Sequence, residues 1–481
     1  MYPILFIVIP LLAGFLASGL RGIKIFRMGW LPTTILLLTG ILSGIMLPLV
    51  IDNPINQIIV IAPPLGINLF AGTLPISIIL ITSIFGVVIL SSPKMRHYFS
   101  DGSSSTVLVL LHIAGINGLL LSGDLFNIFV FLEIVSLSAY AITTLHNDSK
   151  AFEATLKYIL AGSFASIFLL VGISVVYYHT GTLNLAQLSI VSPSIPFTAK
   201  AIITVTLLGA FLLEAEMFPL NTWVPDVYEG SGAAVSGMFS TITLNATLYI
   251  LFRVITVFGI DETLTTFLLV IGLISMIAGE LGALRQSNLV RMFAYSSMAQ
   301  GGLLLVGYLS KANGGMVLYL FNHAAVKAGL FLILSLAMNK GSIEDLRGLG
   351  RKNPIIGFSF VVLTLSLLGL PPFAGFVGKF LILKSLMAGY GVIPVLLVLL
   401  SALIEAWYLL KLISVLFNKD VSTRDISIFK TIPLLIPVIF VIVSGVIPQT
   451  IYKISTKAEN DLYNKSFYQS IVLTQGGSSN E

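Results

Sequence analysis

The chain has 481 residues, 56% hydrophobic and only 10% charged, with a mean hydropathy of +1.00. Soluble globular domains carry about 25% charged residues, so this composition excludes one and indicates an all-α polytopic membrane protein. The absence of cysteine excludes disulfides, cysteine-ligated iron–sulfur clusters and thiol catalysis, and the net charge of +5 is a matter of membrane topology rather than of nucleic-acid binding.

Fourteen apolar segments follow one another, near 2–20, 30–51, 74–92, 104–122, 125–145, 153–178, 199–217, 233–256, 264–283, 289–309, 314–338, 355–386, 392–416 and 430–449. The first has no basic run before it, while Arg21, Lys24 and Arg27 follow it; it reads as a retained span rather than a cleaved signal. Between the second and third, IIVIAPPLGINLFAG (58–72) is β-branched around a Pro-Pro-Leu-Gly turn and predicts a short hairpin outside the bilayer. The polar stretch 450–481, ending TQGGSSNE, predicts a loose tail. The domains are thus read as 1–103 (helices 1–3 with the hairpin), 104–256 (helices 4–8), 264–416 (helices 9–13), 417–449 (helix 14) and the tail.

Basic residues crowd one side. Arg21, Lys24, Arg27, Lys94, Arg96, Lys150, Arg285, Arg291, Lys340, Arg347, Arg351, Lys352, Lys419, Arg424 and Lys430 fall in alternate loops, against Lys200, Arg253, Lys311 and the tail lysines on the other. The crowded side is cytoplasmic by the positive-inside rule, and an even span count places both termini outside.

Two spans are interrupted. The seventh runs into LLEAEMFPLNTWVPDVYEG (212–230), with Glu214 and Glu216 before Pro219 and with Asp226 and Glu229 after Pro225. The twelfth breaks at Leu370-Pro371-Pro372, beside Gly375 and Gly378-Lys379. Paired broken helices in corresponding halves mark transporters built from inverted repeats, here spans four to eight and nine to thirteen.

Charge at the bilayer centre costs at least ~2.5–3.5 kcal/mol per residue, so an intramembrane ionisable group is a functional candidate. Apart from loop charges, the sequence offers Glu133, Lys157, Glu214, Glu216, His323, Lys327, Lys379, Lys384, Glu405 and Lys411. Lys157, Lys384 and Lys411 can equally snorkel to an interface. His112 reads as a hydrogen-bonded core histidine, and Arg253 as a span-end anchor. His323 and Lys327 are four apart and share a helix face. Glu133, Lys327 and Lys379 lie well inside their spans, and a line of Glu, Lys and His is the chemistry of a proton relay. The sequence contains no metal-ligand cluster, Ser–His–Asp arrangement or phosphate loop, so no cofactor is expected in this chain.

GDLFNIFVFLEIVSLSAYAI (123–142), KYILAGSFASIFLLVGISVVYYHTGTLN (157–184), FPLNTWVPDVYEG (218–230), NHAAVKAGLFL (322–332) and LPPFAGFVGKF (370–380) resemble the antiporter-like membrane subunits. These are the D subunit of Mrp-type Na+/H+ antiporters, the N, M and L subunits of respiratory complex I, and their relatives in membrane-bound hydrogenase and sulfur-reducing complexes. The resemblance spans roughly residues 60 to 415, with the motifs in order. It implies fourteen helices, two inverted five-helix repeats with broken helices 7 and 12, and proton passage along a central polar axis. Glu133 matches the fifth-helix glutamate, His323 and Lys327 the eleventh-helix pair, and Lys379 the twelfth-helix lysine. Two positions depart from the pattern: Glu214 and Asn245 stand where the family carries lysines.

These readings predict a proton-translocating subunit, with sodium as a second candidate ion, working with other membrane subunits of an antiporter or oxidoreductase complex in the cell membrane. Glu133 and Glu214 would form a carboxylate site able to take Na+ or a shared proton. His323, Lys327 and Lys379 would form the relay, with Glu405 and Lys411 as further candidates. The competing reading is a non-conducting docking subunit.

Overall fold

A computed structural model describes residues 2–19, 29–61, 66–100, 104–337, 341–419 and 426–474. The basic residues Arg21, Lys24, Arg27, Lys340 and Arg424 lie outside them. α1 (Leu5–Gly19) and α2 (Leu31–Asp52) lead to an antiparallel pair, β1 (Ile55–Ile59) and β2 (Ile67–Ala71), with Asn56 opposite Phe70. The hairpin therefore begins three residues before the predicted 58; its tip, 62–65, falls outside the described residues.

α3 (Thr73–Leu90), the short α4 (Pro93–Ser100), α5 (Ser104–Leu121), α6 (Leu125–Thr143) and α7 (Ser149–Thr180) follow. α6 and α7 start where they do because Asp124 and Asp148 accept hydrogen bonds from the first free amides of each helix. After α8 (Leu185–Val191), α9 (Phe197–Ile203) joins α10 (Gly209–Glu214) through one π-helical turn. α11 (Val224–Met238) likewise joins α12 (Leu244–Phe258). α13 (Glu262–Leu284), α14 (Leu289–Leu309), α15 (Gly315–Ala337), α16 (Leu349–Lys352), α17 (Pro354–Leu368), α18 (Ala374–Tyr390), α19 (Val392–Leu416), α20 (Ile428–Thr431) and α21 (Leu435–Val446) complete the bundle, and α22 (Gln449–Tyr463) and α23 (Lys465–Thr474) end the described chain.

Among the described residues, 12 helices are long and apolar enough to cross a membrane. α1, at 15 residues, and α17 and α18, at 15 and 17, are each too short. The sequence count of fourteen thus rests on taking α1 as a short span and α17–α18 as one broken span.

Burial grades steeply across the bundle. α15 is wholly enclosed, while only 28% of the α19 span and 33% of the α7 span are buried. α15 packs against α3, α11, α14, α17, α18, α21 and α22, making it the pole of the molecule. Polar side chains on a helix buried on all sides are costly unless the surrounding elements supply partners, and the buried charged groups of the neighbouring helices collect around it.

Both predicted breaks are present. The first leaves α10 at Glu214 and re-enters helix at Val224. Its freed amides find partners: Met217 N donates to Leu212 O at 2.9 Å and Phe218 N to Ser275 Oγ on α13 at 3.0 Å. A second interruption at Gly232 (φ 77°) separates the short segment after the break from the following span, a backbone angle that glycine adopts without penalty. The second break ends α17 at Gly369 (φ 77°), where an added Cβ would lie 2.7 Å from the Lys379 Cδ.

The predicted loose tail is, up to Thr474, two amphipathic helices docked on the bundle. Apolar and polar residues alternate at helical spacing, burying Ser455, Ala458, Glu459 and Leu462 on one face of α22. Thr73 Oγ1 donates to Asp461 at 2.8 Å, the Tyr463 hydroxyl to Tyr308 O at 2.5 Å, and Gln469 to Ser189 Oγ at 2.8 Å. Tyr468 packs its ring centre 4.2 Å from the Arg253 guanidinium, which also lies 5.1 Å from Phe70, so the span-end arginine is held by cation–π contacts. Glu459 is completely buried, and its Oε2 accepts from Gly314 N at 2.8 Å, at the start of α15.

Burial pushes the Glu459 carboxyl up to about 7, against the opposing pull of the 313–317 backbone amides. The folded protein therefore holds a proton that the unfolded chain releases. The resulting stabilisation is complete below the ordinary value of 4.5 and is lost as pH rises through about 7. The opening free energy of α22, from hydrogen exchange corrected for intrinsic rates, should fall as pH is raised from about 6 to about 8. Glu459→Gln should flatten that dependence; an undiminished slope in the variant would place the titration elsewhere.

Candidate functional site

In the second half, four buried charged side chains from four helices converge beside α15. Lys379, on α18 just past the second break, donates to Glu405 Oε2 on α19 at 2.9 Å and to the Leu368 carbonyl at 3.3 Å. That carbonyl is one of those freed at the end of α17, so the break supplies part of the lysine's solvation. Glu405 Oε1 accepts from Gln300 Nε2 at 2.6 Å, and the Tyr319 hydroxyl donates to Gln300 Oε1. Lys327, wholly buried on α15, donates to Ser296 Oγ at 2.9 Å and to Phe293 O at 3.2 Å. One turn away, His323 is equally buried, and neither ring nitrogen has a protein partner.

The fourth charge is Glu280 on α13. It is 1% exposed and accepts from the Tyr408 hydroxyl at 2.9 Å. Sequence position hides it: Glu280 lies four residues before the end of its span and five before Arg285, where a charge passes for an interfacial one. The available signal was a lone carboxylate in an otherwise uncharged apolar run, FLLVIGLISMIAGELGAL. Gln300, Tyr319, Tyr408 and Ser296 are neutral, and only the packing of α14, α15 and α19 reveals their roles.

Glu405 lies in this cluster, but Lys411 does not. The buried face of α19 carries Ser401, Glu405, Tyr408, Leu409 and Leu412, whereas Lys411 is exposed on the outer face. Its six-residue offset from Glu405 turns it away from the bundle.

The first half is built differently. Glu214 closes α10 and is 7% exposed; Glu133, on α6, accepts from Ser166 Oγ on α7. The two carboxylates are near enough to interact electrostatically. Glu133 shares its side of α6 with the exposed Phe126, Val130 and Leu137, so it stands at the flank rather than on the axis. Tyr140 and Tyr158 pack edge to face with ring centres 4.7 Å apart, and Tyr158 stacks on Trp223 at 4.6 Å. Asn245 is buried; its Nδ2 donates to Thr241 O at 2.6 Å and its Oδ1 has no protein partner.

Glu216 connects the halves. Its Oε1 accepts from Tyr228 at 3.0 Å, its Oε2 is buried without a protein partner, and its φ of 61° is left-handed. A non-glycine residue in that region is strained and persists only where its surroundings impose it. Both Glu214 and Lys327 lie within its electrostatic reach. The sequence marks Glu216 as a buried ionisable group but does not place it on the axis.

Several of the remaining charges form an ion-pair network, while Lys384 is exposed on α18. Lys157 bonds Asp226 and Glu153, each at 2.7 Å, and Arg291 binds both Asp226 and Glu229; Lys150 joins at 3.1 Å from Glu229. This network opens on a cavity of about 270 Å³ lined by Lys94, His146, Asp148 and Asn288. His112 is the expected core histidine, 2.9 Å from Thr243 Oγ1 and 3.1 Å from Ser138 Oγ. Among the described residues there is no grouping of three or more His, Asp or Glu that could hold a metal ion.

Residues 122–405 fit the model of the NADH:quinone oxidoreductase/Mrp antiporter transmembrane family. The chain belongs to this family. It is 29% identical to the D subunit of the Na(+)/H(+) antiporter of Alkalihalophilus pseudofirmus, over 86% of this chain and 87% of that one. It is 32% identical to the N subunit of the NADH-quinone oxidoreductase of Desulforudis audaxviator, over 77% of each. A chain of the membrane-bound sulfane sulfur reductase, an archaeal respiratory membrane complex, superposes with a TM-score of 0.89 at 30% identity, over 98% of this chain and 99% of that one. This is an antiporter-like, multi-span membrane subunit of the type found in multisubunit complexes.

Removing one partner of a buried ion pair leaves an uncompensated charge and costs roughly 3–5 kcal/mol, whereas replacing both by apolar groups is often near neutral. Glu405→Leu alone should therefore lower the thermal stability of the purified protein in detergent far more than the double variant Glu405→Leu/Lys379→Met. Equal losses in the two would show that the pair is not coupled.

Proposed function

We propose that this subunit translocates protons through its second half, along His323, Lys327, Lys379 and Glu405, within a larger membrane complex. The observation that carries the reading is the Lys379–Glu405 pair, 2.9 Å long and enclosed at a helix break. An ion pair buried in hydrocarbon is weak evidence for stability and strong evidence for ion handling. A proton delivered to Glu405 cancels its charge, and Lys379 is then left with only neutral oxygens, the acid and the Leu368 carbonyl, as acceptors. The ammonium is thereby released to pass its own proton on, and the partnerless nitrogens of His323 suit water-mediated entry one turn from Lys327.

In this reading the chain lies in the cell membrane with the basic loops, and so the cavity beside Lys150 and Glu229, on the cytoplasmic side and both termini outside. Residues 104–256 and 264–416 form two inverted repeats. The first repeat works without an internal lysine: Glu133 and Glu214 share a proton or hold Na+ between them, since like carboxylates at close range do not easily both ionise. Any redox centres of the complex sit on its other subunits. The same missing lysines favour a second reading, a first half that only docks while the second conducts.

Lys327→Ala and Lys379→Ala should each reduce proton movement at least tenfold in proteoliposomes carrying the assembled complex. Wild-type pumping in both would overturn the relay. Activity that is independent of sodium and unaltered in Glu214→Gln would assign the first half to docking.

A further inference from the structure

Lys327 and Lys379 belong to different helices, and no direct hydrogen bond joins them. Between them stand Ser296 on α14, Tyr408 on α19 and Glu280 on α13. Lys327 Nζ donates to Ser296 Oγ at 2.9 Å, and the Ser296 side chain lies close enough to the Tyr408 hydroxyl to interact with it. The Tyr408 hydroxyl donates to Glu280 Oε2 at 2.9 Å. Lysine, two hydroxyls and carboxylate thus follow one another, bonded at both ends, through a region where Lys327, Ser296, Tyr408 and Glu280 are all 2% exposed or less. Lys379 is matched to Glu405 by direct contact, and Lys327 faces Glu280 across the two hydroxyls, with Glu216 also within its electrostatic reach.

We propose that Glu280 is a proton-carrying residue of the relay, the acceptor of the Lys327 proton through Ser296 and Tyr408. This rests on the reading of the second half as a conducting path. The Lys327 ammonium gives a proton to Ser296 Oγ, Ser296 passes its own to the Tyr408 oxygen, and Tyr408 passes its own to Glu280 Oε2. One N–H and two O–H bonds break and three O–H bonds form, and no electrons are exchanged. The products are a neutral amine and a neutral carboxylic acid, so the transfer removes two charges from a dry interior where separated charge is costly. Glu280 also lies within electrostatic reach of Glu405 and Lys379. A charge on Glu280 repels charge on Glu405, and its neutralisation lifts that repulsion. The state of Lys327 is in this way conveyed to the Lys379–Glu405 pair, and proton transfer at one lysine sets the grip on the other.

The test is proton transport by the assembled complex in proteoliposomes, with Glu280→Gln, Glu280→Asp and Tyr408→Phe beside Lys327→Ala. Glu280→Gln and Tyr408→Phe should each lower the rate at least tenfold at unchanged complex content. Glu280→Asp should retain transport with a displaced pH profile, which a packing role would not move. Wild-type rates in Glu280→Gln and Tyr408→Phe, with Lys327→Ala inactive, would overturn the role of Glu280 and leave the relay standing. Wild-type rates in Lys327→Ala as well would overturn both. If Glu280→Gln fails to assemble, Tyr408→Phe, which removes one hydroxyl, decides alone.

Discussion

The structure turns on the problem of keeping charge inside hydrocarbon. Lys379 and Glu405 solve it by mutual contact, with the Leu368 carbonyl and the Gln300 amide completing their shells. Lys327 solves it with a backbone carbonyl and a serine. Each solution needs several helices at fixed distance, and α15 is enclosed on every side to provide them. The outer helices α7 and α19, largely exposed on this subunit, are free to be apolar because the polar inventory is concentrated around one pole.

The helix breaks belong to the same arrangement. Interrupting a helix in a membrane exposes carbonyls and amides that must find partners within the protein. At the second break one such carbonyl is spent on a lysine; at the first, freed amides reach back to Leu212 and across to Ser275. The first break also holds Glu216 at a left-handed backbone angle, with one oxygen on Tyr228 and the other without a protein partner. The two halves meet there, since Glu216 lies within reach of both Glu214 and Lys327.

Much of this architecture is legible in the residues. Apolar run lengths place nearly every helix end within a few positions, because a span has to match the bilayer thickness. Prolines beside carboxylates or lysines announce both breaks, and Lys327 and Lys379 stand out because a lysine in mid-span has no inexpensive explanation. Glu280 is harder to see, since a charge near a span end is ordinary until packing shows that the end is buried. Lys411 misleads for the opposite reason: helix phase, which a charge count ignores, turns it outward. Tyr408, Ser296 and Gln300 acquire meaning only from neighbours more than a hundred positions away in some cases, as with Gln300 and Glu405. The stretch after residue 450 reads as a tail because its mean polarity is high, although its periodicity is helical.

The docking of α22 and α23 has a consequence for biosynthesis. Glu459 reaches Gly314, Asp461 reaches Thr73, and the carbonyl of Val472 accepts from Asn56. These contacts join residues made late to residues made early. While the chain is being translated, the leading turn of the central helix lacks its carboxylate partner, and the early hairpin lacks its cover. Insertion of the spans can proceed in order, but closure of the subunit waits until α22 and α23 have left the ribosome. A product terminated before them would hold Glu280, Lys327, Lys379 and Glu405 and still be left unlatched, with the uncovered helix ends of an incompletely folded chain that cells triage with chaperones and proteases.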